Sequence, residues 1–218
     1  MFWQKLTGFF FPPDRVIECL ETLSLENFSS VLRLRPKRHA GVNTLFDYSI
    51  PTVRRAIWEM KYLGNRRLTA VFGQILYEEM LAELSDLSVG EEEKFLLIPI
   101  PATRGRVIER GFNQCELLAQ AVLSAGGREW LELRPELLKK VRETKRQTEL
   151  GDKKERARNI DGAFRAAPAV ADKVVVLLDD VTTTGATSGE ARRALKAAGA
   201  RKVHSFALAR AGVGDDKT

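Results

Sequence analysis

The stretch KVVVLLDD (173–180) sets consecutive apolar residues directly against two aspartates. An apolar run without alternation predicts a strand buried on both faces. FLLIPI (95–100) has the same character, and KVHSFALAR (202–210) predicts a final strand. IDGAFRA (160–166) reads as a short strand, and ELLKKV (136–141) as a strand or a short helix. Between these runs the apolar spacing lengthens to a helical period. NQCELLAQAVLSAGG (113–127) starts with Asn113 as a cap, has Glu116 three positions on in a box-like start, and closes at Gly126. SGEARRALKAAG (188–199) is a second such helix, ended by Gly199. Strands alternating with helices give an α/β fold with a mostly parallel central sheet flanked by helices.

The first part of the chain reads differently. Val16, Ile17, Leu20, Leu23 and Leu25 recur at helical intervals and predict one or two short helices over 14–34. RLRPKRHAG (33–41) is basic, is broken by Pro36 and Gly41, and reads as a linker or loop. From 46 to 90 the pattern predicts a helical pair. The first helix has Thr52 as its cap, Val53, Ile57 and Met60 on one face, and Gly64 as its stop. The second runs from Leu68 to Leu84, with Val71, Phe72, Ile75, Leu76 and Leu81 in helical register. RETKRQTELGDKKERARN (142–159) has almost no apolar content, and a polar connection of that length is usually a lid or disorder.

Composition narrows the ligand class. With 44% hydrophobic residues a packed core is expected. A net charge of +6 suits an anionic ligand, either nucleic acid or a phosphorylated small molecule. Cys19, Cys115, His39 and His204 are isolated from one another, so spacing assembles no metal-ligand cluster and no disulfide framework. That pattern fits a reducing cytoplasm. MFWQKLTGFFFPP is interrupted by Lys5 and Gly8 and ended by Pro12 and Pro13, so it lacks the form of a secretory signal. No apolar run reaches membrane-spanning length, and Trp3, Phe9, Phe10 and Phe11 are expected to pack on the protein's own domain.

The chemistry concentrates where the oily strand ends. In an open parallel sheet, ligands bind beyond the carboxyl ends of the strands. Asp179 and Asp180 stand at such an end, and TTTGAT (182–187) leads from it into a helix. The N–H groups and dipole of a helix start form an anion site, and Gly185 permits the tight turn. Thr182, Thr183, Thr184, Gly185, Ala186 and Thr187 therefore form a candidate phosphate loop, with threonine hydroxyls adding hydrogen bonds. Ionised carboxylates accept hydrogen bonds, and a vicinal diol offers two donors. Together the elements describe a ribose 5-phosphate. A magnesium-dependent nucleotide hydrolase would need a G-x-x-x-x-G-K-[ST] loop, which is absent from the sequence. Capping of the next helix by the aspartates would explain one polar residue and not the run.

VVVLLDDVTTTGAT resembles the phosphoribosyl-pyrophosphate (PRPP) signature of type I phosphoribosyltransferases. LLIPIPATRGRVIERGFNQCELLA, KYLGNRR and RETKRQTEL…ERARNIDGAF resemble ordered blocks of the ComF family of competence proteins. The likeness spans roughly 46–210. It implies a type I phosphoribosyltransferase fold over 46–213, with a helical hood at 46–90, a flexible loop at 142–159, an N-terminal helical extension over 1–45 and a tail at 214–218. It also implies catalytic roles for Asp179 and Asp180. Pyrophosphate would be bound by Ile100, Pro101, Ala102, Thr103 and Arg104, in a loop that often carries a non-proline cis peptide in this superfamily, and by Arg110. Arg142, Lys145, Arg146, Gln147 and Arg156 would act from the flexible loop, with Arg156 and Asn159 anchoring its return. Mg²⁺ would accompany PRPP, and Asp179 and Asp180 are its only protein contacts to consider. ComF proteins usually begin with a zinc-binding cysteine cluster; only Cys19 stands in that region, so no zinc is expected.

The resemblance leaves two functions open. One is transfer of ribose 5-phosphate from PRPP to a nitrogen acceptor with release of pyrophosphate. The other is a non-catalytic PRPP or nucleotide-binding protein, or an accessory in DNA uptake that touches single-stranded DNA or the competence machinery. The acceptor is not legible in the residues, and a homodimer is left open.

Overall fold

A computed structural model of the chain describes residue 20 and residues 22–87, 93–142 and 160–212. In chain order its elements are α1 (Leu25–Val31), β1 (Lys37–His39), β2 (Val42–Asp47), α2 (Pro51–Trp58), α3 (Arg66–Leu84), β3 (Phe95–Pro99), α4 (Arg104–Arg110) and α5 (Gln114–Ser124). Then follow β4 (Leu131–Leu133), β5 (Leu138–Lys140), β6 (Phe164–Ala166), β7 (Val174–Thr182), α6 (Ala186–Ala197) and β8 (Lys202–Arg210). The main sheet has the order β1-β2-β8-β7-β3-β4. Every pairing in it is parallel except β1 with β2. β5 and β6 form a separate antiparallel pair.

The uninterrupted apolar runs are explained by what covers each face. Side chains alternate along a strand. Val174, Val176 and Leu178 of β7 join Phe95 and Leu97 of β3 in one core, closed by Phe28, Ile57, Phe72, Ile75 and Leu118 from α1, α2, α3 and α5. Val175 and Leu177 join Leu96 and Ile98 in a second core, closed by Ala191 and Leu195 of α6 and by Leu138 and Phe164 of β5 and β6. Phe72 is fully buried, with its ring edge-on to Phe28 at 5.5 Å. Truncating such a ring to alanine costs about 3–5 kcal/mol. α3 and α5 meet closely because residue 73 is glycine: a Cβ there would stand 2.4 Å from the Ala121 Cβ.

Several expectations need correction. Residues 33–41 are not a linker. Lys37–His39 is a strand that turns back through Ala40 and Gly41 into β2, and the expected junction at 45/46 falls inside β2. The turn has φ +49° at Ala40 and +77° at Gly41, the left-handed pair that a two-residue hairpin requires. Val42, Thr44, Leu45 and Phe46 are buried because β2 lies beside β8, with Thr44 opposite Ala207. Thr52 is not a cap: α2 starts with Pro51 after Ile50. Its end widens into a π-helical turn, Glu59–Leu63, stopped by Gly64 at φ +63°. Asn65 then caps α3, its side chain accepting from the Leu68 N–H. α4 was unanticipated; Thr103 caps it by accepting from the Arg106 N–H. All peptides are trans among the described residues, those of the 100–104 loop included.

The remaining strand and helix readings that fall on described residues hold with small shifts, whereas Trp3, Phe9, Phe10, Phe11, Val16 and Ile17, the charged stretch from 143 to 159 and the tail at 214–218 lie outside the described residues. β7 extends to Thr182, α6 begins at Ala186, and 136–141 divides into a 3₁₀ turn, Pro135–Leu137, and β5. Among the described residues no helix is long and apolar enough to cross a membrane.

Candidate functional site

β7 lies between β3 and β8, so its carboxyl end opens at the middle of the sheet edge. Asp179 is only 8% exposed there. Its Oδ1 accepts from the Cys115 thiol at 3.7 Å, at the start of α5, and from the Asp180 N–H at 2.8 Å. Asp180 reaches the π-helical turn instead: its Oδ2 lies 3.1 Å from the Lys61 Nζ, with both side chains about 15% exposed. Its Oδ1 accepts from the Val181 N–H at 2.5 Å.

These neighbours set the protonation states. Burial, and then the adjacent Asp180 carboxylate, push the Asp179 carboxyl from an ordinary 3.8 up to about 7. Burial and the same two carboxylates push the Cys115 thiol well above its usual range, so it acts as a donor and not as a thiolate. Burial opposes the Lys61 ammonium, but Asp180, then Tyr48 and Asp179, more than offset it, and the lysine pKa is raised. The site therefore holds a lysine cation, a carboxyl that titrates near neutrality, and a neutral thiol.

The hydroxyl-rich turn follows at once. Thr182 and Thr183 are buried, and the Thr184 Oγ1 accepts from the Ala186 N–H at 3.4 Å. Gly185 has φ +78° and stands at the cap of the twelve-residue α6. A Cβ at 185 would lie 2.8 Å from the Ala40 Cβ, so the tip of the β1–β2 hairpin backs this turn. Arg192 of α6 donates to the Ala40 and Gly41 carbonyls at 3.2 Å each and holds the tip in place. The turn 182–185 thus leads directly into the N-terminus of α6, the kind of helix start whose N–H groups and dipole favour an anion.

The 100–104 loop leaves β3 at the same edge, because β3 and β7 are parallel. Ile100 donates its N–H to the Leu178 carbonyl at 2.8 Å, and its own carbonyl accepts from the Asn113 Nδ2 at 3.2 Å. Asn113 also caps α5 as expected, accepting from the Cys115 N–H at 3.1 Å and donating to Glu116 at 3.0 Å. Pro101, Ala102 and Thr103 are half-buried beside it. Arg104 and Arg110 open and close α4, and their side chains lie outside the described part of the structure. Arg142 donates to the Asp161 carbonyl, across the stem of the charged loop. Lys145, Arg146, Gln147, Arg156 and Asn159 lie outside the described residues.

Lys61 is the side chain that sequence reasoning missed. On a regular amphipathic helix a lysine beside a core methionine reads as a solvent-facing residue. The π-helical turn changes the phase: Met60 stays fully buried, and Lys61 swings to the sheet edge. Such turns recur at functional sites. The signal available was the KYLG string itself, which ends at Gly64. His204 is buried in β8, its pKa lowered by burial first and by Lys202 next, and it plays no part in the site.

A mostly parallel sheet with a carboxylate pair and a hydroxyl loop at its carboxyl edge is the type I phosphoribosyltransferase architecture. A family model described as the phosphoribosyl transferase domain matches residues 118–217. The chain is 30% identical over 164 residues to the "DNA utilization protein YhgH" of Salmonella typhimurium, covering 75% of this chain and 69% of that one. It is 33% identical over 150 residues to the "Competence protein ComFC" of Streptococcus pneumoniae, covering 69% and 60%. Among solved structures, the allosteric regulatory enzyme of purine biosynthesis aligns with a TM-score of 0.39 at 18% identity, over 70% of this chain and 30% of that one. The chain belongs to the ComF family of type I phosphoribosyltransferase-fold proteins.

Proposed function

We propose that the protein binds PRPP and transfers its ribose 5-phosphate to a nitrogen acceptor, releasing pyrophosphate. The observation that carries this reading is the joining of the aspartate pair to the threonine turn at the end of β7. Residues 182–187 would take the 5-phosphate on backbone N–H groups and hydroxyls. Asp180 would accept from the ribose diol, while Asp179, shifted to about 7, can both accept and donate near neutral pH. Ile100, Pro101, Ala102, Thr103 and Arg104, with Arg110, would face the diphosphate.

In the reaction the bond from the anomeric carbon to the diphosphate oxygen breaks, and its electron pair leaves with pyrophosphate. A bond from the acceptor nitrogen to that carbon forms, and the nitrogen gives up a proton to solvent. The chain's part is positioning and electrostatics: it holds both ends of the sugar phosphate and aligns the anomeric carbon for attack.

Mg²⁺ would supply charge neutralisation at the diphosphate. The ligating atoms of Cys115, Asp179 and Asp180 lie within 4.8 Å of one another, but magnesium takes oxygen ligands and a thiol does not suit it. Lys61 already occupies one Asp180 oxygen. The donor set therefore fits a cation carried by the diphosphate, with Asp179 and Asp180 at its margin, and does not form a protein cage.

A second reading, PRPP or nucleotide binding without transfer in the service of DNA uptake, is favoured by the names of the relatives, which speak of DNA utilisation and competence. A pyrophosphate-release assay with PRPP, Mg²⁺ and a panel of bases and amines separates the two. Release that is lost in Asp180→Asn supports transfer. PRPP binding without pyrophosphate release in the presence of any acceptor supports the second reading.

A further inference from the structure

Lys61 stands against the aspartate pair, and the surrounding structure holds it there. Its Nζ lies 3.1 Å from the Asp180 Oδ2 in a site that leaves each side chain only about 15% exposed. The π-helical turn that carries it is fastened on two sides. Gln114 of α5 donates its side-chain N–H to the Lys61 carbonyl at 3.3 Å. Glu59, 7% exposed, receives the Arg55 guanidinium at 2.8 Å, and its carbonyl accepts from the Gly64 N–H at the end of the turn. Gly64 takes the left-handed conformation that ends the turn, and Asn65 starts α3 immediately after it. An ammonium has three donors, so one can hold Asp180 while the others remain for a ligand oxygen. A loose surface lysine would have none of this support.

We propose that Lys61 is the resident counter-cation of the aspartate pair, and that the pair therefore binds a ribose phosphate without a divalent metal. This deepens the sugar-phosphate reading above and rests on it. Two adjacent carboxylates that must accept from a diol repel each other when both are charged, and a cation in contact relieves that repulsion. A metal can supply the cation, or the chain can, and here the chain supplies it on a fixed turn. The metal is then needed only for ligands that bring a diphosphate of their own.

The test uses ribose 5-phosphate, which has the phosphate and the diol but no diphosphate. It is titrated calorimetrically into the full chain, in EDTA and in magnesium chloride, for the wild type, Lys61→Met, Lys61→Arg and Asp180→Asn. The wild type is expected to bind equally in both buffers. Lys61→Met should bind about tenfold to a hundredfold more weakly in EDTA, the worth of a charge-assisted contact, and recover in magnesium. Lys61→Arg should stay near the wild type. The inference is overturned if the wild type needs magnesium for ribose 5-phosphate. It is equally overturned if Lys61→Met matches or exceeds the wild type in EDTA, which would make the lysine a bystander or a competitor. The wild-type comparison can overturn the claim by itself, and if Lys61→Met folds poorly the charge-keeping Lys61→Arg carries the test, since a folded Lys61→Arg that loses binding in magnesium and EDTA alike would also overturn it. Absence of wild-type binding in both buffers would defeat the sugar-phosphate reading itself, and is thereby distinguished from failure of the lysine's role alone.

Discussion

Replacing Asp179 by asparagine should change the pH dependence of stability in a definite direction. The carboxyl is buried, and its pKa rises from an ordinary 3.8 to about 7 on folding. Between those values the folded protein binds more protons than the unfolded chain. Stability therefore falls as pH rises through that window and levels off above about 7. At roughly 1.36 kcal/mol per pH unit, the ionised carboxyl destabilises the fold by about 4 kcal/mol at most above neutrality. Asparagine carries no such charge. Its Oδ1 can still accept from the Cys115 thiol and the Asp180 N–H, while its new N–H groups carry a cost of about 1–3 kcal/mol if they find no partner. That cost is the same at every pH, so the discriminating quantity is the change in the wild-type-to-variant difference between acid and alkaline buffers. Urea unfolding of both proteins at about pH 5 and about pH 8 should show the variant gaining about 2–3 kcal/mol relative to the wild type across that interval. A difference that stays flat with pH, or moves against the variant as pH rises, would refute the assignment of a raised carboxyl pKa at this position.

The remaining predictions concern backbone and packing. Gly185→Ala places a Cβ 2.8 Å from Ala40 at φ +78°, so it should destabilise the protein by about 1–3 kcal/mol in thermal or urea unfolding and weaken ribose 5-phosphate binding in calorimetry. Gly73→Ala gains up to about 1 kcal/mol of helix propensity but forces α3 away from Ala121, so a net loss of about 1–3 kcal/mol is expected by urea unfolding. Cys115 is buried and its thiol is held protonated, so alkylation by iodoacetamide should be slow in the native protein and fast in urea, as peptide mass spectrometry would record.

The parts of the molecule legible in sequence were those where one local rule governs. The continuous apolar runs of β3 and β7 announced strands covered on both faces, and two cores on opposite sides of the sheet are their cause. Asn113 and Glu116 stood at cap spacing, and they form that cap. The β1–β2 hairpin was hidden because Pro36 and Gly41 signal a break, and because its turn is Ala-Gly and lacks the Asn-Gly preference. Its burial comes from β8, more than 150 residues away in the chain, a contact that no local window contains. Lys61 was hidden for a related reason. Its partner, Asp180, lies far along the chain, and the π-helical turn that aims it breaks the period on which a helical reading depends. The aspartates and the threonine turn were legible because strand end, turn and helix start follow one another in sequence.

The central claim is that the end of β7 grips a ribose phosphate. Its most direct test is calorimetric titration of PRPP with Mg²⁺ into the wild type and into Thr183→Val and Asp180→Asn. The account predicts saturable one-to-one binding by the wild type at micromolar protein. Either variant should lose about tenfold or more in affinity while still unfolding cooperatively. No heat of binding from a folded wild type, or equal affinity in all three proteins, would contradict it.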